Sequence, residues 1–187
     1  YAAHVALSDK NEWPKPIALE VSLLLRRVLG RVLSGRLAVL AGCAGVGKAY
    51  VAARIIGALV ARHGPEAVAV VAPTGKAAVR VTELLAEYGV IGRATTIQTA
   101  LEVTSVGGGG FKFARDMLNP LEAMFVICDE SSMLDTWLVL QLLKALRDDA
   151  HILFIGDTNQ LPPVGAGAPL RDLIAGGASY GELRDIL

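Results

Sequence analysis

Gly42-Cys43-Ala44-Gly45-Val46-Gly47-Lys48-Ala49 decides how the rest of the chain is read. Its spacing is that of a phosphate-binding loop, in which small residues let backbone N–H groups curl around phosphate oxygens. Lys48 would reach the β- and γ-phosphates of a bound nucleotide. The next position calls for Ser or Thr, whose hydroxyl ligates Mg²⁺, and Ala49 stands there instead.

The flanks supply the context such a loop requires. Arg36 to Ala41 is an apolar run that reads as a buried strand feeding the loop, and residues 48–62 read as the helix that follows it. Upstream, residues 21–33 (VSLLLRRVLGRVL) have apolar side chains at helical spacing, so residues 1–35 are expected to hold a helical segment packed on the domain. Further strands are expected at Val68–Ala72, Met124–Cys128 and Ile152–Ile155, with helices near 76–88, 135–147 and 169–175. Short apolar runs alternating with helices predict an α/β fold: a mainly parallel central sheet flanked by helices in three layers. Gly107-Gly108-Gly109-Gly110 reads as a flexible surface connection without chemistry of its own.

The strand Val126-Ile127-Cys128 delivers Asp129 and Glu130 at its carboxyl end. Alone, that pair would be a solvated acidic turn. With a phosphate loop upstream, Asp129 becomes the candidate Mg²⁺ holder and Glu130 the candidate general base. The strand at 152–155 ends in Gly156-Asp157-Thr158-Asn159-Gln160-Leu161-Pro162-Pro163-Val164. Gln160 is a candidate γ-phosphate sensor, because a neutral amide can donate to phosphate or position water. A Pro-rich turn with a capping Asp accounts equally well for that segment taken by itself.

Composition narrows the partners. The 187 residues suit one domain, and 53% of them are hydrophobic without any run near the ~20 apolar residues of a membrane helix. No signal peptide is visible, and the first residue is Tyr1, as expected of a fragment. Cys43 and Cys128 make neither a disulfide framework nor a zinc motif, so a reduced cytoplasmic setting is expected. The 18 basic and 18 acidic residues cancel, so any nucleic-acid contact must rest on local residues rather than on overall charge.

Taken together the segments resemble a family. Ala72-Pro73-Thr74-Gly75-Lys76-Ala77-Ala78, Ala94-Thr95-Thr96-Ile97, Asp129-Glu130-Ser131-Ser132-Met133-Leu134-Asp135 and Gly156 to Val164 resemble RecD-like helicases of superfamily 1, in that family's order. Asn119-Pro120-Leu121 and Leu170-Arg171-Asp172-Leu173-Ile174 are similar to it as well. The resemblance covers residues 36–187 and implies a RecA-like first motor domain: an ATPase that uses ATP and Mg²⁺ to move 5′ to 3′ along single-stranded DNA. It implies a nucleotide site at Gly42, Cys43, Ala44, Gly45, Val46, Gly47, Lys48, Ala49 and Tyr50, with Lys48, Glu130 and Gln160 catalytic and Asp129 on the metal. It implies DNA contacts at Pro73, Thr74, Lys76, Thr95, Thr96 and Gln98, whose hydroxyl and ammonium groups would hold phosphates without reading sequence. Without the resemblance, Thr74, Thr95 and Thr96 would be helix caps and Lys76 a solvated side chain. The implied partners are DNA, a second RecA-like domain of the same parent chain that lies beyond this sequence, and accessory nuclease or helicase subunits in repair or recombination. No membrane is expected.

Three positions depart from the family pattern. Ala49 lacks the Mg²⁺-ligating hydroxyl, Tyr50 replaces a small hydroxyl residue, and Gln98 stands where His is usual. No Gln-containing adenine-recognition segment precedes the first strand; Asn11 lies too far from the loop. Leu183-Arg184-Asp185-Ile186-Leu187 resembles the approach to the next family motif. The missing second domain would bring arginines to the γ-phosphate, so this fragment alone is expected to hydrolyse ATP poorly. The alternative is a degenerate module that holds nucleotide or a partner protein without cycling. A phosphate-loop kinase would leave the Gln-Leu-Pro-Pro segment unexplained.

Overall fold

The computed structural model describes residues 33–106, 110–161 and 163–184. The expected helix at 21–33 and the last residues of the chain lie outside them, except that Leu33 packs against the core. Strand β1 (Leu37–Gly42) runs into the glycine-rich loop and helix α1 (Lys48–His63). Strand β2 (Val68–Ala72), helix α2 (Gly75–Glu87), strand β3 (Ala94–Thr96) and the short helix α3 (Ile97–Ala100) follow. After strands β4 (Val103–Val106) and β5 (Gly110–Phe113) come β6 (Phe125–Cys128), α4 (Thr136–Lys144), β7 (His151–Gly156), α5 (Pro169–Ala175) and β8 (Ser179–Leu183).

Six strands form one sheet in the order β3-β2-β6-β7-β1-β8, and every pairing in it is parallel. A parallel sheet needs both faces covered, and the period of two along each strand shows how that is met. On β1, Ala38 and Leu40 point to the face covered by α1 and α2, while Val39 points to the face covered by α3, α4 and α5. On β6, Phe125 and Ile127 alternate with Val126 and Cys128 in the same way, and on β7 Leu153 and Ile155 alternate with Ile152 and Phe154. These strands read as continuous apolar runs because neither face is wet. The three-layer α/β architecture expected from the sequence is therefore present.

Four strands escape the sequence reading. β3 has three residues, and β8 (SYGEL) is an edge strand held by β1 alone, with a half-buried polar pattern. The third miss is a pair: β4 and β5 form an antiparallel hairpin, in register Val103↔Phe113 to Val106↔Gly110. Gly110 thus belongs to β5 of this hairpin, not to a free surface connection; Gly107 to Gly109 lie outside the described residues. The hairpin is fastened at its base. Arg115 donates from Nε to Glu102 at 2.8 Å and from Nη1 to the Pro120 carbonyl at 3.2 Å, and the Phe113 ring sits 5.5 Å from that of Trp137 on α4.

Because the sheet is parallel, every loop leaving a carboxyl end emerges at one edge, where α/β proteins hold ligands. Read across the sheet, that edge carries Thr95 and Thr96, then Pro73 to Lys76, then Asp129 and Glu130, then Asp157 to Gln160, then the phosphate loop.

Candidate nucleotide site

The phosphate loop is shaped by its glycines and pinned by one valine. Gly45 and Gly47 have φ of 84° and 86°, the left-handed region that residues with a Cβ avoid. Gly42 is required for a different reason: a Cβ there would lie 2.7 Å from Val46 Cγ2 and 2.9 Å from the Leu183 carbonyl oxygen. Val46 is buried in the core, while Cys43, Ala44 and Gly45 are exposed around it. The N-terminus of α1 has no side-chain cap, and Gly47 leaves its first N–H groups facing the loop. Such a terminus favours anions through its free donors and the helix dipole. Lys48 curls over the loop and donates from Nζ to the carbonyls of Gly42 at 2.6 Å and Cys43 at 2.7 Å.

Asp129 and Glu130 arrive from β6. The Asp129 amide continues the ladder to β2 by donating to the Val71 carbonyl at 3.0 Å. Glu130 adopts φ 52° and ψ 36°, a left-handed conformation that is strained for a residue with a side chain. The buried Ser131 hydroxyl holds that turn by donating to the Cys128 carbonyl at 2.7 Å. Burial pushes the Asp129 carboxyl above the ordinary carboxylate range, and the neighbouring Glu130 charge adds to this; the Glu130 N–H, Lys48 and Arg80 oppose it. Just inside, the fully buried Cys128 thiol is pushed up to about 12, chiefly by burial, which makes it a core side chain and not a nucleophile.

Ser132 joins the Asp129–Glu130 segment to the β7 loop. Its hydroxyl donates to Gln160 Oε1 at 3.1 Å and accepts the Asp157 amide at 3.4 Å. Gly156 permits this approach, since a Cβ there would lie 3.0 Å from the Ser132 amide nitrogen. The loop is further held by the Asn159 amide N–H, which donates to the buried Asp157 at 2.9 Å, and by Arg171, which donates to the Thr158 carbonyl at 2.7 Å. Gln160 itself is exposed and lines the cleft.

These segments converge. A cleft of about 440 Å³ is lined by Lys48, Ala49, Asp129, Glu130 and Gln160 together with Arg80. Its inner part runs between α1 and α2, where Ala52, Ala53 and Ile56 face Val81 and Leu85. Tyr50 also lines it, but the phenol is turned away from any metal position: its ring meets that of Tyr88 edge-on at 5.4 Å. Sequence reasoning missed Ser132 and Arg80. The signal for Arg80 was available, because it is the one charged member of the cleft-lining stripe Ala77-Arg80-Val81-Leu84-Leu85 on α2.

The DNA candidates sit apart from the cleft, on the β2 and β3 side of the same edge. Thr74 caps α2 by accepting the Ala77 amide at 3.2 Å, and Thr96 caps α3 by accepting the Thr99 amide at 3.1 Å. Each hydroxyl accepts its cap bond and retains a proton to donate, although that of Thr96 also lies 2.8 Å from the Thr99 hydroxyl. Lys76 is exposed; Pro73, Thr95 and Gln98 are half-buried, and Ala72 is paired with Thr96 across the two strands.

The donor set fits Mg²⁺ only sparingly. Asp129 offers a carboxylate at the mouth of the cleft, Ala49 offers nothing, and no group of three or more His, Cys, Asp or Glu side chains forms a cation cage among the described residues. Mg²⁺ suits such a place, since it keeps several waters and leans on substrate phosphates.

The model of the AAA domain family matches residues 26–166. The chain belongs to that family. Within it the chain is a RecD-like superfamily 1 motor domain. It is 38% identical over 165 residues to the ATP-dependent RecD2 DNA helicase of Deinococcus radiodurans, a match covering 87% of this chain and 21% of that protein. It is 35% identical over 164 residues to the RecBCD enzyme subunit RecD of Mycobacterium tuberculosis, covering 81% of this chain and 28% of that protein. The chain thus spans only about a quarter of the length of these relatives. The Pif1 helicase of Candida albicans superposes with a TM-score of 0.62 at 25% identity, over 90% of this chain and 41% of that one. A Bacteroides Pif1 bound to ssDNA gives 0.57 at 17% identity, over 90% and 43%, a likeness of fold. No helix among the described residues is long and apolar enough to cross a membrane.

Proposed function

We propose that this domain binds ATP at the carboxyl edge of its sheet and, as the first motor domain of a longer RecD-like helicase, couples hydrolysis to 5′ to 3′ movement along single-stranded DNA. The observation that carries the reading is the convergence of Lys48, Asp129, Glu130 and Gln160 on one cleft from three separate strands. A degenerate module would have no reason to keep all four side chains there, and the relatives give that alternative no support.

The roles follow from chemistry and position. Lys48 would exchange the loop carbonyls for the β- and γ-phosphates, adding a charge-assisted contact to the N–H groups at the start of α1. Asp129 would hold Mg²⁺, whose charge, when bound, neutralises the phosphate oxygens. Glu130 is the base that takes the proton of the attacking water, its carboxylate held at the cleft by the strained turn. Gln160, tied to the acidic segment through Ser132, would donate its amide to the γ-phosphate or to that water. Thr74, Lys76, Thr95 and Thr96 would hold the phosphates of a single strand next to the cleft. A second RecA-like domain would close over ATP, and the RecD relatives named as RecBCD subunits support accessory subunits as further partners.

Glu130→Gln in the protein that carries this domain tests the reading. Hydrolysis stimulated by single-stranded DNA should fall by about 10²–10⁴ while ATP binding is kept, because an amide cannot take the proton. Hydrolysis retained in this variant would remove Glu130 from its role.

A further inference from the structure

Ala49 leaves the phosphate site one ligand short, and the cleft holds a cation that the motifs do not account for. Arg80 lies on the face of α2 that looks into the cleft, among apolar neighbours, and lines it together with Lys48, Asp129 and Gln160. Among the described residues, no hydrogen bond or ion pair ties its guanidinium down. Both carboxylates, Asp129 and Glu130, line the same cleft, as do Gly45 and Gly47 of the loop. Arg80 is exposed, so its guanidinium is open to a ligand in the cleft that it lines beside Ala77, Val81, Leu84 and Leu85.

We infer that Arg80 is a second nucleotide-binding cation, which meets the terminal phosphates from the α2 side as Lys48 meets them from the loop. The inference rests on the ATP-site reading above and deepens it. Without nucleotide, the two cations Lys48 and Arg80 balance the two carboxylates Asp129 and Glu130. A triphosphate brings several negative charges into this balanced cleft, and the metal that offsets part of them is held by one side-chain ligand fewer than a Thr at position 49 would give. Here the protein supplies only one metal ligand, so more of it falls to fixed cations. Guanidinium suits the task, because its planar fork can present two N–H groups to phosphate oxygens and is weakly hydrated. The consequence is a nucleotide site that depends weakly on Mg²⁺ for binding, although not for turnover.

The test is the affinity for the fluorescent analogue mant-ATP, read by anisotropy in Mg²⁺ and again in EDTA. In the unaltered protein, removing the metal should weaken binding by no more than about threefold. Arg80→Ala should weaken metal-free binding by about tenfold or more, the usual worth of a charged hydrogen bond. Arg80→Gln keeps the aliphatic stem on α2 and repeats the measurement should the alanine variant disturb the helix. If Arg80 served only to hold Asp129, its variants would change the Mg²⁺ requirement and leave metal-free affinity alone; that result overturns the inference. So does loss of binding by the unaltered protein in EDTA. Absence of mant-ATP binding in every condition would overturn the ATP-site reading as well.

Discussion

Asp129→Asn should make the domain more stable while disabling it, and the gain should follow pH in a defined direction. Asp129 is partly buried, and burial raises its pKa above the ordinary value of 3.8. The carboxylate therefore destabilises the folded state at neutral pH, offset only by the Glu130 N–H and by the charges of Lys48 and Arg80. Asn keeps the shape and can still accept from the Glu130 N–H. Removing a strained functional charge of this kind commonly contributes about 1 kcal/mol, which in a domain of this size raises Tm by about 2–4 °C. The sign with pH follows from proton linkage. Between the unfolded value and the raised folded value, the folded protein binds more protons than the unfolded one. Unaltered protein is thus favoured below 3.8 and loses this contribution as pH rises through the folded pKa. The variant lacks that loss, so the difference in Tm should be small in acid and grow to a plateau toward neutrality. Thermal melts of both proteins in EDTA, over roughly pH 4 to 8, read it directly. A variant that melts below the unaltered protein at neutral pH, or a difference that is constant across the range, would refute the reasoning.

Two further outcomes are expected. Ala49→Thr restores a metal-ligating hydroxyl and should lower the Mg²⁺ concentration needed for half-maximal ATP hydrolysis and raise the plateau; unchanged Mg²⁺ titrations would show that Ala49 costs nothing at the metal. Gly42→Ala forces a Cβ to within 2.9 Å of the Leu183 backbone and closer still to Val46, so it should destabilise by about 1–3 kcal/mol and weaken mant-ATP binding. A thermal melt matching the unaltered protein would mean that β8 yields freely.

What was legible in the sequence is what is written in consecutive residues. β1, β6 and β7 are buried on both faces, so their apolar runs stand out, and each hands its chemistry to the loop that follows. β3 and β8 carry no such signal: Thr95 and Thr96 are half-buried polar residues, and β8 meets the sheet only along β1. The hairpin was hidden because four glycines say "loop" without saying what the flanking strands do, while its anchor, Phe113 on Trp137, joins residues far apart in sequence. Within the site the loop, Asp129, Glu130 and Gln160 were found from motifs. Ser132 was quoted in a motif without a task, because its task is a hydrogen bond to a residue 28 positions away. Tyr50 looked like part of the phosphate loop by its place in the chain, and packing with Tyr88 draws it elsewhere.

The order of the strands explains why one helix matters to both halves of the proposed motor. The phosphate loop, Gln160 and the acidic pair occupy β1, β7 and β6, and the candidate DNA contacts occupy β2 and β3. Helix α2 belongs to both groups: Thr74 caps it and Lys76 lies in its first turn, while Arg80, one turn further on, looks into the nucleotide cleft. Only about 6 Å of helix separates Lys76 from Arg80, and packed elements move as rigid bodies more readily than they deform. A strand seated on Thr74 and Lys76 would therefore act on the cleft through the same rigid turn that carries Arg80.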